Sequence, residues 1–150
     1  FESIKELSMT NFKKAKYKGL IKHFTSAAII KKGNKYFLID RKKKPFGWAP
    51  IAGHVDEGEN TKEALIREVK EESSWKVKSF KLVLKKNVKF GCRRIGSYHE
   101  ISIYNCKVSG KLKLQKEEIK NSGWFTVEEM KKIRIEPLWR YLFRRLKILE

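Results

Sequence analysis

Residues 53–75 decide how this chain is organised: Gly-His-Val-Asp-Glu-Gly-Glu-Asn-Thr-Lys-Glu-Ala-Leu-Ile-Arg-Glu-Val-Lys-Glu-Glu-Ser-Ser-Trp. The stretch begins as a glycine-bearing loop and continues as a segment with helical spacing. Asn60 suits the N-cap of a helix, and Glu63 follows three residues later, which is the spacing of a capping box. These residues predict a loop that leads directly into a helix.

Three carboxylates fall on one side of this predicted helix. Each residue turns by about 100°, so Glu68, Glu71 and Glu72 share a face. Carboxylates crowded together repel one another unless a cation lies among them, and ligands that are all oxygen suit Mg²⁺ or Mn²⁺ better than zinc. Taken alone, however, the pattern E-x-x-E-E is more often a solvated acidic stripe on a surface helix.

A second face of the helix is apolar and is turned from the acids by roughly 120°. We expect its residues to dock on the core of the protein. They are Leu65, Ile66 and Val69.

The wider spacing favours the metal-binding interpretation. The Nudix hydrolase signature, G-x5-E-x7-R-E-U-x-E-E-x-G-U with U apolar, is matched by Gly53, Glu59, Arg67, Glu68, Val69, Glu71, Glu72 and Trp75. The chain therefore resembles a Nudix hydrolase. Ser74 stands where that family has glycine. That position lies just past the helix end, where a left-handed backbone is convenient, so serine there should cost on the order of 1 kcal/mol without removing a ligand.

The resemblance implies roles for residues in and beyond the signature. The metal ligands would be Gly53, Glu68, Glu71 and Glu72, the glycine region contributing a backbone carbonyl. Arg67 would organise the acids by pairing with Glu59 or Glu68. The proton acceptor would be Glu72 or a loop acid, Glu118, with Glu117 as its alternative. It is equally open that both loop acids are solvated surface residues.

The basic, aromatic loop at residues 41–50 precedes the signature. Trp48 and Phe46 are candidates for stacking on a base, and Lys44 is a candidate for holding phosphates. Packed aromatics and a solvated lysine are the alternatives. His54 lies inside the signature loop and is a further candidate for substrate contact, with a structural histidine as the alternative.

Composition and charge limit the possible class of protein. A length of 150 residues with 41% hydrophobic content fits one domain with a core. No apolar run approaches the roughly 18 residues of a membrane span. The net charge of +19 would attract phosphates of any kind, although a lysine-rich solvated surface explains it equally simply. Cys92 and Cys106 lack metal-ligand spacing, which indicates free thiols in a reducing cytoplasm.

The order of predicted elements gives the fold class. We divide the chain into a basic N-terminal arm or helix, residues 1–22, and a single domain, residues 23–150. The first elements are a hairpin (24–31 and 36–41), one or two strands (76–89), a turn (90–96), a strand (97–108) and an edge strand (111–115). An acidic loop then leads into a Trp-Phe strand (within 117–125), a short helix capped by Thr126 with Glu129, and a last helix begun by Pro137. Such alternation predicts an α/β/α sandwich with a mixed β-sheet, the fold that the resemblance also implies.

The resemblance implies an enzyme that hydrolyses a pyrophosphate bond with Mg²⁺, or Mn²⁺ in its place. The substrate would be a nucleoside diphosphate linked to another moiety, or a nucleoside triphosphate. An RNA 5′ end, losing pyrophosphate or a cap, is the alternative favoured by the charge. A non-catalytic nucleotide or RNA sensor is disfavoured, since sensors tend to lose the catalytic carboxylates. The partners left open are a nucleotide, RNA and a second copy of the chain in a homodimer.

Overall fold

The computed structural model describes residues 16–17, 20–88 and 97–150, with side chains for 22–88 and 98–150. The described strands are β1 (Lys16–Tyr17), β2 (Leu20–Lys32), β3 (Lys35–Arg41), β4 (Trp48–Ala49), β5 (Ile51–His54), β6 (Lys76–Val88), β7 (Ser97–Ser109) and β8 (Ile119–Phe125). The described helices are α1 (Thr61–Ser73), α2 (Val127–Met130) and α3 (Pro137–Arg145).

Strand β2 is the spine of the sheet. Its middle pairs with β5 on one side, through Ser26 opposite Gly53, and it runs parallel to β7 on the other. Its far end pairs with β3 in the predicted hairpin, while β6 continues the sheet beyond β7 and β8 pairs with β3. Because the β2–β7 pairing is parallel and the other pairings are antiparallel, the sheet is mixed, as predicted.

Two apolar clusters lie on opposite faces of this sheet. Successive residues of β2 alternate between them: Ala27 and Ile29 join one cluster, and Ala28 and Ile30 join the other. Helix α3 contributes Leu138, Trp139, Leu142 and Phe143 to the first cluster, and α1 contributes Leu65 and Val69 to the second. The predicted α/β/α sandwich is confirmed.

Two predictions about packing were wrong. Ile66 is 45% exposed, since the buried face of α1 is centred on Ala64, Leu65 and Val69. Residues 111–115 form no strand. Instead, the Lys113 and Gln115 amides donate to the carbonyls of Ser73 (2.9 Å) and Glu72 (3.1 Å), which α1 leaves unpaired at its C-terminus.

The ends of the chain agree with prediction in part. Residues 1–15 of the predicted arm, and the predicted turn at 90–96 with Cys92, lie outside the described residues. The described pieces of the arm, Lys16–Tyr17 and the start of β2, are strand and not helix. Helix α3 begins at Pro137, as predicted, and packs on its own sheet. In the described part of the chain, no helix is long and apolar enough to cross a membrane.

Candidate active site

Both ends of helix α1 are fixed by its own sequence. Asn60 Oδ1 accepts from the Glu63 amide (2.9 Å) and Glu63 Oε1 accepts from the Asn60 amide (3.0 Å), which is the predicted capping box. At the C-terminus Ser74 takes up the predicted left-handed backbone, with φ of 67°. The carboxylates of α1 are therefore carried on a helix whose two ends are both capped.

Arg67 is the hub of the ion pairs around α1. Its Nη2 donates to Glu59 Oε1 (2.7 Å) and its Nη1 donates to Glu68 Oε1 (2.8 Å), so it pairs with both of its predicted partners. Nη2 also donates to the carbonyl of His54 (3.0 Å). Hydrogen bonding to Glu59 is the main cause that raises the Arg67 pKa, although burial opposes it. Arg67 thus ties α1 to the loop before it.

Glu59 is the fixed anionic end of this network. Its burial acts to raise the carboxyl pKa, but hydrogen bonds from Arg67 and from the Asp56 amide, together with the Arg67 charge, lower that pKa overall. It remains ionised at neutral pH and orients Arg67, as the signature implies.

Gly53 lets the Glu68 carboxylate lie directly against strand β5. A Cβ atom at position 53 would overlap the Glu68 carboxyl group. Glycine is needed here for close approach of the side chain, and its backbone φ is not in the left-handed region. This places the Glu68 carboxylate beside the glycine backbone, where the predicted carbonyl ligand lies.

Glu72 is a buried acid with one carboxylate oxygen that has no hydrogen-bonding partner among the described residues. The residue is 4% exposed, and its Oε2 has no partner among the described residues. Burial, and next the charge of Glu68, raises the pKa of Glu72 to about 8, with Arg41 opposing. Burial also raises the pKa of Glu68 to about 7, against the effect of Arg67. Two such carboxylates side by side call for a cation to compensate their charge.

Only some of the predicted metal ligands lie together in this structure. Glu68, Glu72 and Gly53 line one cavity, whereas Glu71 does not; its side chain is 53% exposed and lies 3.3 Å from Arg67 Nη1. Among the described residues, no group of three or more His, Cys, Asp or Glu side chains forms a ready-made metal site. The unpartnered oxygen of Glu72 beside Glu68 nevertheless fits Mg²⁺ or Mn²⁺, and Glu71 would join only after leaving Arg67.

The cavity in front of these acids measures about 260 Å³ and draws residues from across the chain. Glu118 lines it, with its side chain 47% exposed and 3.7 Å from Lys43 Nζ. Its charge is among the causes that raise the Glu72 pKa, and both residues also line a smaller cavity with Arg41 and Lys43. Glu117 is exposed and does not line the cavity.

The predicted substrate-binding residues lie elsewhere. Trp48 packs its ring edge-on against Phe125, 4.9 Å between centroids, in the α3 cluster. Phe46 is 40% exposed with Lys120 over its ring, and Lys44 is exposed. None of the three lines the cavity, which favours the packed and solvated alternatives, and their contact with substrate stays a prediction.

Other cavity residues were missed by sequence reasoning. Arg41, from the end of β3, and Glu136 and Trp139, from the start of α3, line the cavity. Glu136 is 3% exposed, and burial raises its pKa to about 7 while Arg41 opposes. Pro137 predicted where α3 begins. No spacing in the sequence, however, shows that the start of this helix lines the same cavity as the acids of α1. His54 also lines the cavity.

Comparison with known proteins identifies the family and agrees with the fold. A family model, the NUDIX domain, matches residues 22–146. The MutT protein from Methanosarcina mazei Go1 has a TM-score of 0.72 at 19% identity, covering 88% of this chain and 96% of that chain. A NUDIX hydrolase from Nitrosomonas europaea has a TM-score of 0.67 at 23% identity, covering 81% and 86%.

A more distant likeness extends to an Ap4A hydrolase from C. elegans, with a TM-score of 0.62 at 22% identity over 82% of this chain and 95% of that chain. At such identities the solved structures show a common fold. No curated protein matches the chain in sequence.

Proposed function

The chain belongs to the Nudix hydrolase family, whose members hydrolyse pyrophosphate bonds, and on that premise we propose that it is a Mg²⁺-dependent hydrolase of small nucleotides. The substrate class is a nucleoside diphosphate linked to another moiety, or a nucleoside triphosphate. Mn²⁺ is the alternative ion, because the proposed ligands, the carboxylates and the backbone carbonyl beside Gly53, are all oxygen atoms.

One observation carries this proposal: the buried acid Glu72 lies with the partly buried acid Glu68 at the wall of a cavity. Glu72 is 4% exposed with one oxygen unpartnered, and its pKa is raised to about 8. A purely structural role would not retain such a residue, because a buried carboxylate without compensation costs stability. A metal ion between the two acids would remove that cost.

The cavity residues have separate roles in this proposal. Glu68 and Glu72 would hold the metal with the backbone beside Gly53, and Glu71 would join them only after releasing Arg67. When bound, the metal neutralises phosphate charge and lowers the pKa of a water molecule. Arg67 keeps Glu68 in its rotamer through its bonds to Glu59 and the His54 carbonyl. Arg41 supplies a guanidinium to the substrate phosphates from the cavity wall.

Glu118 acts as the general base. It reaches the cavity from a loop, outside the ligand set, and its side chain is half-exposed with Lys43 beside it. A carboxylate in this position can accept a proton from water attacking at phosphorus. Glu72, which the sequence left as the alternative base, is committed as a ligand.

A 5′-phosphorylated RNA is the second candidate substrate, and the net charge of +19 favours it. A protein that neutralises many phosphates loses affinity steeply as salt rises, whereas a mononucleotide enzyme depends on salt weakly. The finding that separates the two candidates is therefore the slope of log kcat/KM against log salt.

The experiment is a substrate panel in saturating Mg²⁺. Nucleoside triphosphates, nucleoside diphosphate sugars, dinucleoside polyphosphates and a 5′-triphosphorylated RNA are each assayed for phosphate, pyrophosphate and nucleoside monophosphate. We expect turnover of small nucleotides, loss of that turnover in EDTA, and a shallow salt slope. Turnover of RNA alone with a steep slope would replace the first candidate by the second, and hydrolysis of nothing in the panel would favour a sensor.

We also propose a reducing, cytoplasmic location. Cys106 is a free, buried thiol, and burial raises its pKa to about 12, so it is unreactive. A homodimer stays a prediction, which sedimentation would test.

A further inference from the structure

A second, larger cavity lies away from the acids. It measures about 750 Å³ and shares no lining residue with the cavity of Glu68 and Glu72. Arg145, the last residue of α3, and residues 146–148 after it form one wall, and strands β2, β3, β6 and β7 with the turn at Gly33 form the other. Its size lies inside the range of roughly 300–1,000 Å³ typical of small-molecule sites.

The lining combines an apolar slot with a cationic rim. Aliphatic side chains form the slot: Ile29, Val83, Leu84, Leu146 and Ile148. Basic side chains form the rim: Lys31, Lys81, Lys107, Arg145 and Lys147. In the described part of the chain these cations make no ion pair, and the lining contains no Asp or Glu. An anionic ligand with an apolar body complements this surface.

Two neutral polar side chains in the lining favour a ligand with a heterocyclic base over a lipid. Ser79 and Asn105 lie in the same lining, and both are exposed. Hydroxyl and amide groups can bond the edge of a heterocyclic base, whereas a lipid chain would leave them unpaired. Tyr36 adds an aromatic ring to the wall, with Lys31 Nζ 5.3 Å from its centroid.

The backbone at the end of α3 is arranged to form this cavity. Lys147 adopts φ of 61°, a left-handed conformation that glycine usually occupies at this position. The Ile148 amide donates to the Phe143 carbonyl at 2.9 Å, which folds the chain back over the helix end. The fold brings Lys147 and Ile148 onto the cavity wall.

We propose that this cavity is a second nucleotide site, which binds a mononucleotide with its base in the aliphatic slot and its phosphate on the basic rim. A second copy of the chain is a poor occupant, because each copy carries a net charge of +19 and would oppose cations to cations. The site concerns binding and not hydrolysis, so it stands independently of the proposed function.

The test is calorimetric titration of the full chain with AMP in EDTA. Adenosine and inorganic phosphate, titrated separately, should each bind at least about tenfold more weakly than AMP, because each lacks one half of the recognition. A chain that binds no AMP at millimolar concentration would overturn the proposal. Equal binding of inorganic phosphate and AMP would also overturn it, since the slot would then contribute nothing.

Variants locate the binding. Lys81→Glu with Arg145→Glu should weaken AMP at least about tenfold, since two charge-assisted contacts are lost. Lys78→Glu with Lys111→Glu, exposed lysines outside the lining, makes the same change in net charge and should leave the Kd within about twofold. Equal weakening by both pairs would overturn the proposal and leave only a general charge effect.

A filling variant keeps the test decisive if the charge reversals unfold the chain. Ser79→Trp adds an aromatic side chain at an exposed position of β6, where strands tolerate it, and it occupies the slot. We expect it to abolish AMP binding while the melting temperature and the hydrolytic turnover of the wild type are kept. Unchanged AMP binding in this variant would show that AMP occupies the catalytic cavity, which would refute the second site.

Discussion

Replacing Glu72 by glutamine should stabilise the metal-free protein, and the gain should grow as pH rises. The carboxyl group is 4% exposed, has an oxygen without a partner, and has a pKa raised to about 8 from an ordinary 4.5 by burial and then by Glu68. Glutamine keeps the shape of the protonated acid and cannot ionise. The substitution therefore removes the cost of a buried charge.

The magnitude follows from the two pKa values. Between pH 4.5 and about 8 the folded protein holds a proton that the unfolded chain has released, so stability is lost as pH rises through this window. At 1.36 kcal/mol for each pH unit, the free energy of unfolding gained by the variant is on the order of 1 kcal/mol at pH 5 and on the order of 4 kcal/mol at pH 8.

The assay is denaturant unfolding of wild type and Glu72→Gln in EDTA across this pH range. Glu117→Gln, an exposed acid outside the cavity, is the matched control and should change nothing. Saturating Mg²⁺ should stabilise the wild type and shrink the difference, because it binds the folded ligands. If Glu72→Gln is no more stable than the wild type at pH 8, the buried carboxylate is already compensated and our account of the site is wrong.

Three further predictions concern single positions. Ser74→Gly should raise the melting temperature by an amount equivalent to about 1 kcal/mol or less without raising kcat, since only the left-handed backbone is relieved; a large gain in kcat would mean that serine detunes the site. Gly53→Ala should displace the Glu68 carboxylate and lower kcat by about 10²-fold or more while circular dichroism shows a folded chain; near wild-type kcat would show that the close approach is not needed. Glu118→Gln should lower kcat by roughly 10²- to 10⁴-fold with Mg²⁺ affinity unchanged, and Glu117→Gln should do much less. If steady-state assays show that Glu117→Gln lowers kcat more than Glu118→Gln does, then Glu117 is the general base and our assignment of Glu118 is wrong.

Local chemistry in the sequence predicted the frame of the site well. Asn60 with Glu63 marked where α1 begins, and the requirement at position 74 for a left-handed backbone is met by Ser74 at φ of 67°. These features depend on neighbours within a few residues, so spacing alone expresses them.

What the sequence could not give is how far each side chain is buried. Glu71 and Glu72 are adjacent and belong to the same predicted face, yet Glu71 points to solvent beside Arg67 and Glu72 is enclosed. The difference is made by β3 and by the loop carrying Glu118, which close over one side of α1 from distant parts of the chain.

The opposite wall of the cavity shows the same limit. Glu136 and Trp139 line it because the start of α3 packs beside the sheet at this point. Trp48, predicted to bind substrate, instead packs against Phe125. Such contacts join residues far apart in sequence, and no periodicity records them.

The most direct test of the central claim, that Glu72 holds a catalytic divalent ion, is the initial rate of nucleotide hydrolysis by wild type and Glu72→Gln in saturating Mg²⁺. Both proteins are assayed at a pH where melts show them folded, with the best substrate of the panel. We predict that glutamine cuts kcat by several orders of magnitude and that EDTA abolishes wild-type turnover. Turnover by Glu72→Gln within a few-fold of wild type, or wild-type turnover that persists in EDTA, would contradict the claim.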